Sequence, residues 1–487
     1  MRRIHRQVLS GAAVAVSFAG SFALGERDAR ACGGCFTPSE SESVITDEKM
    51  VLSISMNQTT LYDQINYSGA PASFAWVLPI KGSVTVGLSA DVMFQVINQL
   101  TTTQVLVPPT NCPPPPPNCF GGGGGGGATG VGECAGGSCG TPNDNGGGGV
   151  TVTSQKQVGP YETVQLHSTD GSALNQWLTA HGYNIPASTK PIIDAYVSQQ
   201  FDFLALKLVP GVGVQSMQPV RVTSQGASPS LPLHMVAIGT GPTTGITIWV
   251  VADGRWAPSN FPTFTIADSE IAWDWNTSAS NYETVRLAKE ATFHGAGWQI
   301  ESSLELSQYT LQEVLLSNVE YGGVTGGYLP PPPATATDGG AVTDASGTGD
   351  AGDSGTAVAA ATTDLSVLFA GIAAPNVRIT RMRSDVAQSA LSADMALSAP
   401  TDQSELTNIH RPGQEIGEPQ CTVYNASTCS AVGAVPRSQA LAQAPSVSTS
   451  AGSCSTTTLS RGPGFVGILV GLVGLTGLRL RRSRRSR

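Results

Sequence analysis

Cysteine is the residue type whose spacing in this chain could do chemistry, and nine are present. Cys32-Gly33-Gly34-Cys35 has the spacing of a thioredoxin-like redox pair. Such pairs work at a helix start after a strand, where the helix dipole lowers the thiol pKa. Here the pair would stand at a mature N-terminus with no strand before it, so disulfides that fix the terminus are expected instead. Cys112, Cys119, Cys134 and Cys139 offer four thiols for a zinc ion, but their spacing is not that of a zinc ribbon. In an oxidising compartment they should be disulfides, with Cys112–Cys119 and Cys134–Cys139 the simplest pairing. Cys421 and Cys429 flank a short loop and are expected to pair. Those eight leave Cys454 as the odd one.

Other chemistry is sparse. The sequence has no H-E-x-x-H, no G-x-S-x-G and no G-x-x-x-x-G-K-[ST]. His167, His181, His234, His294 and His410 stand apart, none paired at metal-ligand spacing. A triad assembled by the fold stays open, because such residues need not be close in sequence. Trp273-Asp274-Trp275 combines aromatics with an acid, which suits a sugar platform as well as ordinary packing. No metal and no cofactor are expected.

The elements that would position these residues read as α+β, mainly antiparallel sheet with short helices, interrupted by low-complexity inserts. Met50, Leu52, Ile54 and Met56 alternate as in a strand. Phe74, Trp76 and Leu78 share one face of another, and all three are expected to be buried. Ser89 is a candidate N-cap for a helix running to about Leu100. Ser172 is a candidate cap for a helix closed by Gly182, and Thr189-Lys190-Pro191 should start the next. Strands are expected over 203–209, 219–223, 233–238, 246–252, 298–306 and 377–382, and a helix over 281–290.

The chain is divided by composition. Residues 1–31 have a basic start, an apolar middle and Ala29-Arg30-Ala31, so they read as a secretory signal cleaved after Ala31. Residues 32–325 read as the main domain, broken at 108–149 by polyproline, polyglycine and four cysteines. An acidic disordered linker is expected over 330–363, a small C-terminal region over 364–437 and a Ser/Ala/Thr stalk over 438–461. Gly462–Leu478 is apolar and uncharged, and Arg479–Arg487 is dense in arginine. As a helix the apolar run would span about 25 Å, short of the roughly 30 Å bilayer core. The arginines would hold the tail cytoplasmic and leave the rest outside.

Between Cys32 and Cys454 the chain carries 14 basic residues against 33 acids, a balance of about −19. Such a surface repels nucleic acid. The expected partner is the membrane, through the C-terminal helix, with a sorting or processing protease acting near Cys454.

The run ITDEKMVLSISMNQTTLYDQINYSGAPASFAWVLPI, after an exported CGGCF start, resembles the bacterial family catalogued as domain of unknown function 2330. The block FDFLALKLVPGVGVQSMQPVRVTSQGASPSLPLHMVAIGTG, followed by ITIWVVADGRW, resembles it too. The resemblance implies export and supplies no activity or catalytic residues. The cysteine, short spacer, apolar helix and arginine cluster at the end are similar to the sorting tails of myxobacterial surface proteins. That resemblance implies cleavage near Cys454 and retention at the cell surface. The function expected is an exported, surface-anchored binding or envelope-structural module without enzymatic activity. The alternative is a surface hydrolase whose site forms only in the fold.

Overall fold

Along β1 (Ile45–Ile54) both sets of alternating side chains are buried, Met50, Leu52 and Ile54 on one face and Val51 and Ser53 on the other. A strand covered on both faces needs a layer on each side of its sheet. The computed structural model describes residues 45–64, 76–116, 150–183, 189–212, 217–238, 240–321, 328, 351–373 and 375–443.

β1 turns back into β2 (Gln58–Asp63). β3 (Trp76–Ile80) enters a second sheet, and the corner Lys81-Gly82-Ser83 returns the chain to the first as β4 (Val84–Leu88). Gly82 has φ +67°, a left-handed conformation that glycine adopts without a Cβ clash. Helix α1 (Asp91–Thr101) follows. β5 (Val150–Val158) and β6 (Tyr161–Ser168) form a hairpin, then come helices α2 (Gly171–Ala180) and α3 (Lys190–Ser198). β7 (Asp202–Leu208) and β8 (Val220–Gln225) belong one to each sheet. The short helix α4 (Leu233–Val236) precedes β9 (Thr240–Ala252). β10 (Thr263–Phe264), α5 (Tyr282–Ala291), β11 (Trp298–Ser307) and α6 (Gln308–Tyr321) continue the chain. α7 (Ala351–Leu368) and β12 (Asn376–Ala387) complete the frame.

The larger sheet has eight strands in the order β10-β11-β12-β9-β1-β2-β8-β4. Within it β1–β9 and β10–β11 are parallel and the other pairs antiparallel. The smaller sheet has four antiparallel strands in the order β3-β7-β6-β5. Trp76, Leu78 and Leu206 from the small sheet pack on Leu52, Ile248 and Met382 from the large one. The far face of the large sheet, with Val51, Trp249 and Ile379, is covered by α1, α6 and α7. The far face of the small sheet, with Val77, Leu166 and Phe203, is covered by α2 and α3. The result is four layers, α–β–β–α, an α+β fold with mostly antiparallel sheets. Phe74 lies outside the described residues, while Trp76 and Leu78 are buried at 0 and 7 % exposure.

Several local expectations change. Ser89 is not a cap: α1 begins after Ala90 without a side-chain cap, and the Ser89 hydroxyl donates to Asp364. The cap of α2 is Asp170, which accepts from the amides of Ser172 and Ala173. Both amides donate to one oxygen, Oδ1, which satisfies two orphan donors of the first turn. Residues 233–236 are helical rather than extended. A short run with Leu233, Met235, Val236 and Ile238 all buried fits either period, and only its packing decides.

The region after 330 is also not as expected. From Ala351 the chain is helix α7, not linker; residues 330–350 lie outside the described ones. Ala357, Ala361, Leu365 and Leu368 recur at helical spacing and are all buried. β12, from the region expected over 364–437, lies between β9 and β11 inside the large sheet. The expected stalk begins as a short helix, Arg437–Gln443, with Ala440 buried.

Asp364 fastens α7 to the sheet. Its carboxylate, 1 % exposed, accepts from Arg221 Nη1 at 2.6 Å, Ser89 Oγ at 2.5 Å and Tyr328 Oη at 2.8 Å. Tyr62 Oη donates to its backbone carbonyl at 3.3 Å. On the neighbouring strands Arg381 pairs with Glu301 and lies over the Trp249 ring, whose Nε1 donates to Thr101.

The cysteine pairing is corrected too. Cys112 is joined to Cys421, 309 residues away, and not to Cys119. Cys429 is also disulfide-bonded, so it does not pair with Cys421 either. Proximity in sequence gave the wrong partner because the hairpin Gln420–Tyr424 with Ala431–Pro436 brings Cys421 to the start of the insert. Cys32, Cys35, Cys119, Cys134, Cys139 and Cys454 lie outside the described residues, as do 1–31 and 462–487. Among the described residues no helix is long and apolar enough to cross a membrane.

Candidate functional site: a cleft between the sheets

Where β3 leaves the small sheet for β4, residues of both sheets line a cleft of about 470 Å³. Its floor is apolar: Leu52 and Leu61 from β1 and β2, Leu78 and Ile80 from β3, and Val222 from β8. These side chains point inward because each sits at the same parity of its strand as the core residues beside it. The volume suits a small ligand, and the lining pairs an apolar floor with about as much polar surface around it.

The rim is polar. The loop after β8 supplies Ser228 and Ser230. Thr59 holds that loop, donating its hydroxyl to the Gly226 carbonyl at 3.0 Å and accepting the Ser228 amide at 2.7 Å. Ser230–Leu231 pairs with Met395–Ala396, which sets Asp394 at the cleft mouth. Asn260 braces the same turn, donating to the Asp394 carbonyl at 2.7 Å and accepting the Ala396 amide at 2.9 Å.

Asp394 is half-buried. Its Oδ1 accepts from the Tyr196 hydroxyl and from the His234 backbone amide at 3.2 Å. Burial pushes its carboxyl pKa up, and those two donors and the charges of His234 and Lys81 oppose the rise. The Tyr196 hydroxyl is itself pushed far above its ordinary value by burial and by the Asp394 charge. Lys81 lines the same cleft, exposed at the β3–β4 corner, with Nζ 4.9 Å from the centre of the Phe201 ring. Such a contact orients the ammonium without neutralising it.

A pair of buried carboxyls lies where β1 begins and β2 ends. Glu48 and Asp63 are 0 and 3 % exposed. Burial raises the Asp63 carboxyl to about 7, opposed by its hydrogen bond to Glu48. Two adjacent carboxyls away from water each disfavour the ionisation of the other.

The histidines do not converge. His167 Nδ1 meets Asp202 at 2.5 Å on the surface, and His410 Nδ1 meets Asp268 at 2.8 Å beside Tyr282. Among the described residues no Ser, Thr or Cys is hydrogen-bonded to either ring. His181 stacks on Trp177, and His294 sits in the turn after α5 with φ +53°. Trp273 is buried with its ring edge-on to Trp275, and Trp275 Nε1 donates to Glu415 at 2.7 Å. Asp274 caps its own turn through the Asn276 amide at 2.8 Å. That tripeptide is absorbed by packing. Among the described residues no group of three or more His, Cys, Asp or Glu could hold a metal ion.

Sequence reasoning missed Lys81, Tyr196 and Asp394 as a group. The one legible signal was the apolar strand Trp76–Ile80 ending in a Lys-Gly corner.

A family model described as "uncharacterized protein conserved in bacteria (DUF2330)" matches residues 27–310. No curated protein and no solved structure matches the chain. The matched span includes the cleft floor and Lys81 but stops short of Asp394 and of β12. The chain belongs to the DUF2330 family.

Proposed function

We propose that this member of the DUF2330 family is an exported, envelope-anchored module whose cleft between the sheets binds a small ligand. The observation that carries the binding reading is the cleft itself: an apolar floor with a braced carboxylate and an ammonium at its mouth. The signal-like residues 1–31, the apolar run 462–478 and its arginines support export and anchoring. The Cys112–Cys421 disulfide supports export as well, since such bonds persist in oxidising compartments.

Ala227 lies exposed on the cleft rim, so Ala227→Trp should block the mouth without disturbing the core. The dye 1-anilinonaphthalene-8-sulfonate should brighten on the parent chain, and the variant should lose most of that enhancement. Equal enhancement in both would sink the cleft as a binding site. Anchoring is tested separately with Cys454→Ser expressed in a host of the family. If the tail is processed at Cys454, the variant keeps its arginines, runs larger on a gel and changes its membrane fraction. Identical C-termini and fractionation for parent and variant would leave a plain single-span anchor.

A further inference from the structure

We infer that the cleft takes an amphiphile with a zwitterionic head: apolar body on the floor, ammonium group on Asp394, acidic group on Lys81. The inference rests on the cleft being a binding site. Asp394 has one oxygen, Oδ1, occupied by Tyr196 and His234, while Oδ2 accepts from no described residue. Its carboxyl group is therefore oriented, with one oxygen engaged and the other open. Lys81 has no carboxylate within ion-pair distance among the described residues, although Asp394 lines the same cleft. The mouth thus presents two opposite charges that form no direct ion pair, although the Lys81 charge acts on Asp394 through space.

A ligand bearing a single charge would meet one partner and be repelled by the other. A neutral sugar would find hydroxyls on the rim but would leave both charges unpaired above an apolar floor. A zwitterion meets both, and the volume of about 470 Å³ leaves room for an apolar body behind the head. Two sources share that chemistry. One is an apolar α-amino acid, with ammonium and carboxylate on one carbon. The other is a single-chain phospholipid with an ethanolamine head, whose phosphate would meet Lys81.

Displacement of the anilinonaphthalene dye from the full chain tests this. The probes are L-phenylalanine, lysophosphatidylethanolamine below its micelle concentration, octanoate and octylamine. At least one zwitterion should displace the dye at a concentration about tenfold below both singly charged probes, equivalent to about 1.4 kcal/mol. Which zwitterion does so identifies the source. Lys81→Gln and Asp394→Asn should each erase that preference. Lys81 is exposed, so Lys81→Gln keeps the test valid if Asp394→Asn fails to fold. The inference is overturned if octanoate or octylamine competes equally, if the preference survives Lys81→Gln, or if no probe displaces the dye. Ala227→Trp separates the two levels. Loss of dye binding there, with no zwitterion preference in the parent, removes the head-group inference and leaves the cleft site standing.

Discussion

Trp76→Ala should lower the folding free energy by about 3–5 kcal/mol, the range for deleting a large buried aromatic. The indole is 0 % exposed and sits between the sheets, on the strand that also forms the cleft floor. Removing it leaves a void between β3 and the large sheet beside Leu78 and Ile80, and the paired strands can close that gap only in part. Trp76→Phe keeps a ring and should cost less. Urea unfolding followed by circular dichroism measures both. A loss below about 1 kcal/mol for the alanine variant would mean that the two sheets do not depend on this side chain.

Asp364→Ala should cost a similar amount, about 3–5 kcal/mol, for a different reason. No cavity argument is needed. The variant strands the Arg221 guanidinium, 17 % exposed, together with the hydroxyls of Ser89 and Tyr328, all of which lose one acceptor at once. Because the penalty is an unpaired buried charge, removing that charge should recover part of it. Asp364→Leu with Arg221→Met should therefore be more stable than Asp364→Ala alone, and a double-mutant cycle reads the coupling. Additive losses would show that α7 is held by Ala357, Ala361, Leu365 and Leu368 rather than by the carboxylate.

Much of the local structure was legible because side-chain period is a local property. Met50, Leu52 and Ile54 announce β1, Val92, Met93, Val96 and Ile97 announce α1, and Val377–Met382 lies within β12. The helix over 351–368 was not legible. Its buried face is built of alanine, which reads as low complexity when embedded among Gly, Thr and Asp. Ser89 looked like a cap because serine before an apolar periodic run usually is one. Here a carboxylate from a helix far along the chain competes for the hydroxyl and wins.

What the sequence by itself determined about this protein is its local periodicity, and hence the α+β class, together with its family, carried by the runs around Met50–Ile80 and Phe203–Trp256. Strand period, helix period and family motifs all lie within short windows, so no folding is needed to read them. Partner choice was decided only in three dimensions. Cys112 met Cys421 rather than Cys119, β12 entered between β9 and β11, and Asp394 came to face the cleft that Lys81 rims. Each of these joins residues far apart in the chain. Such contacts form only when burying both faces of β1 brings the four layers together, and no local pattern encodes which distant segment will supply the missing layer.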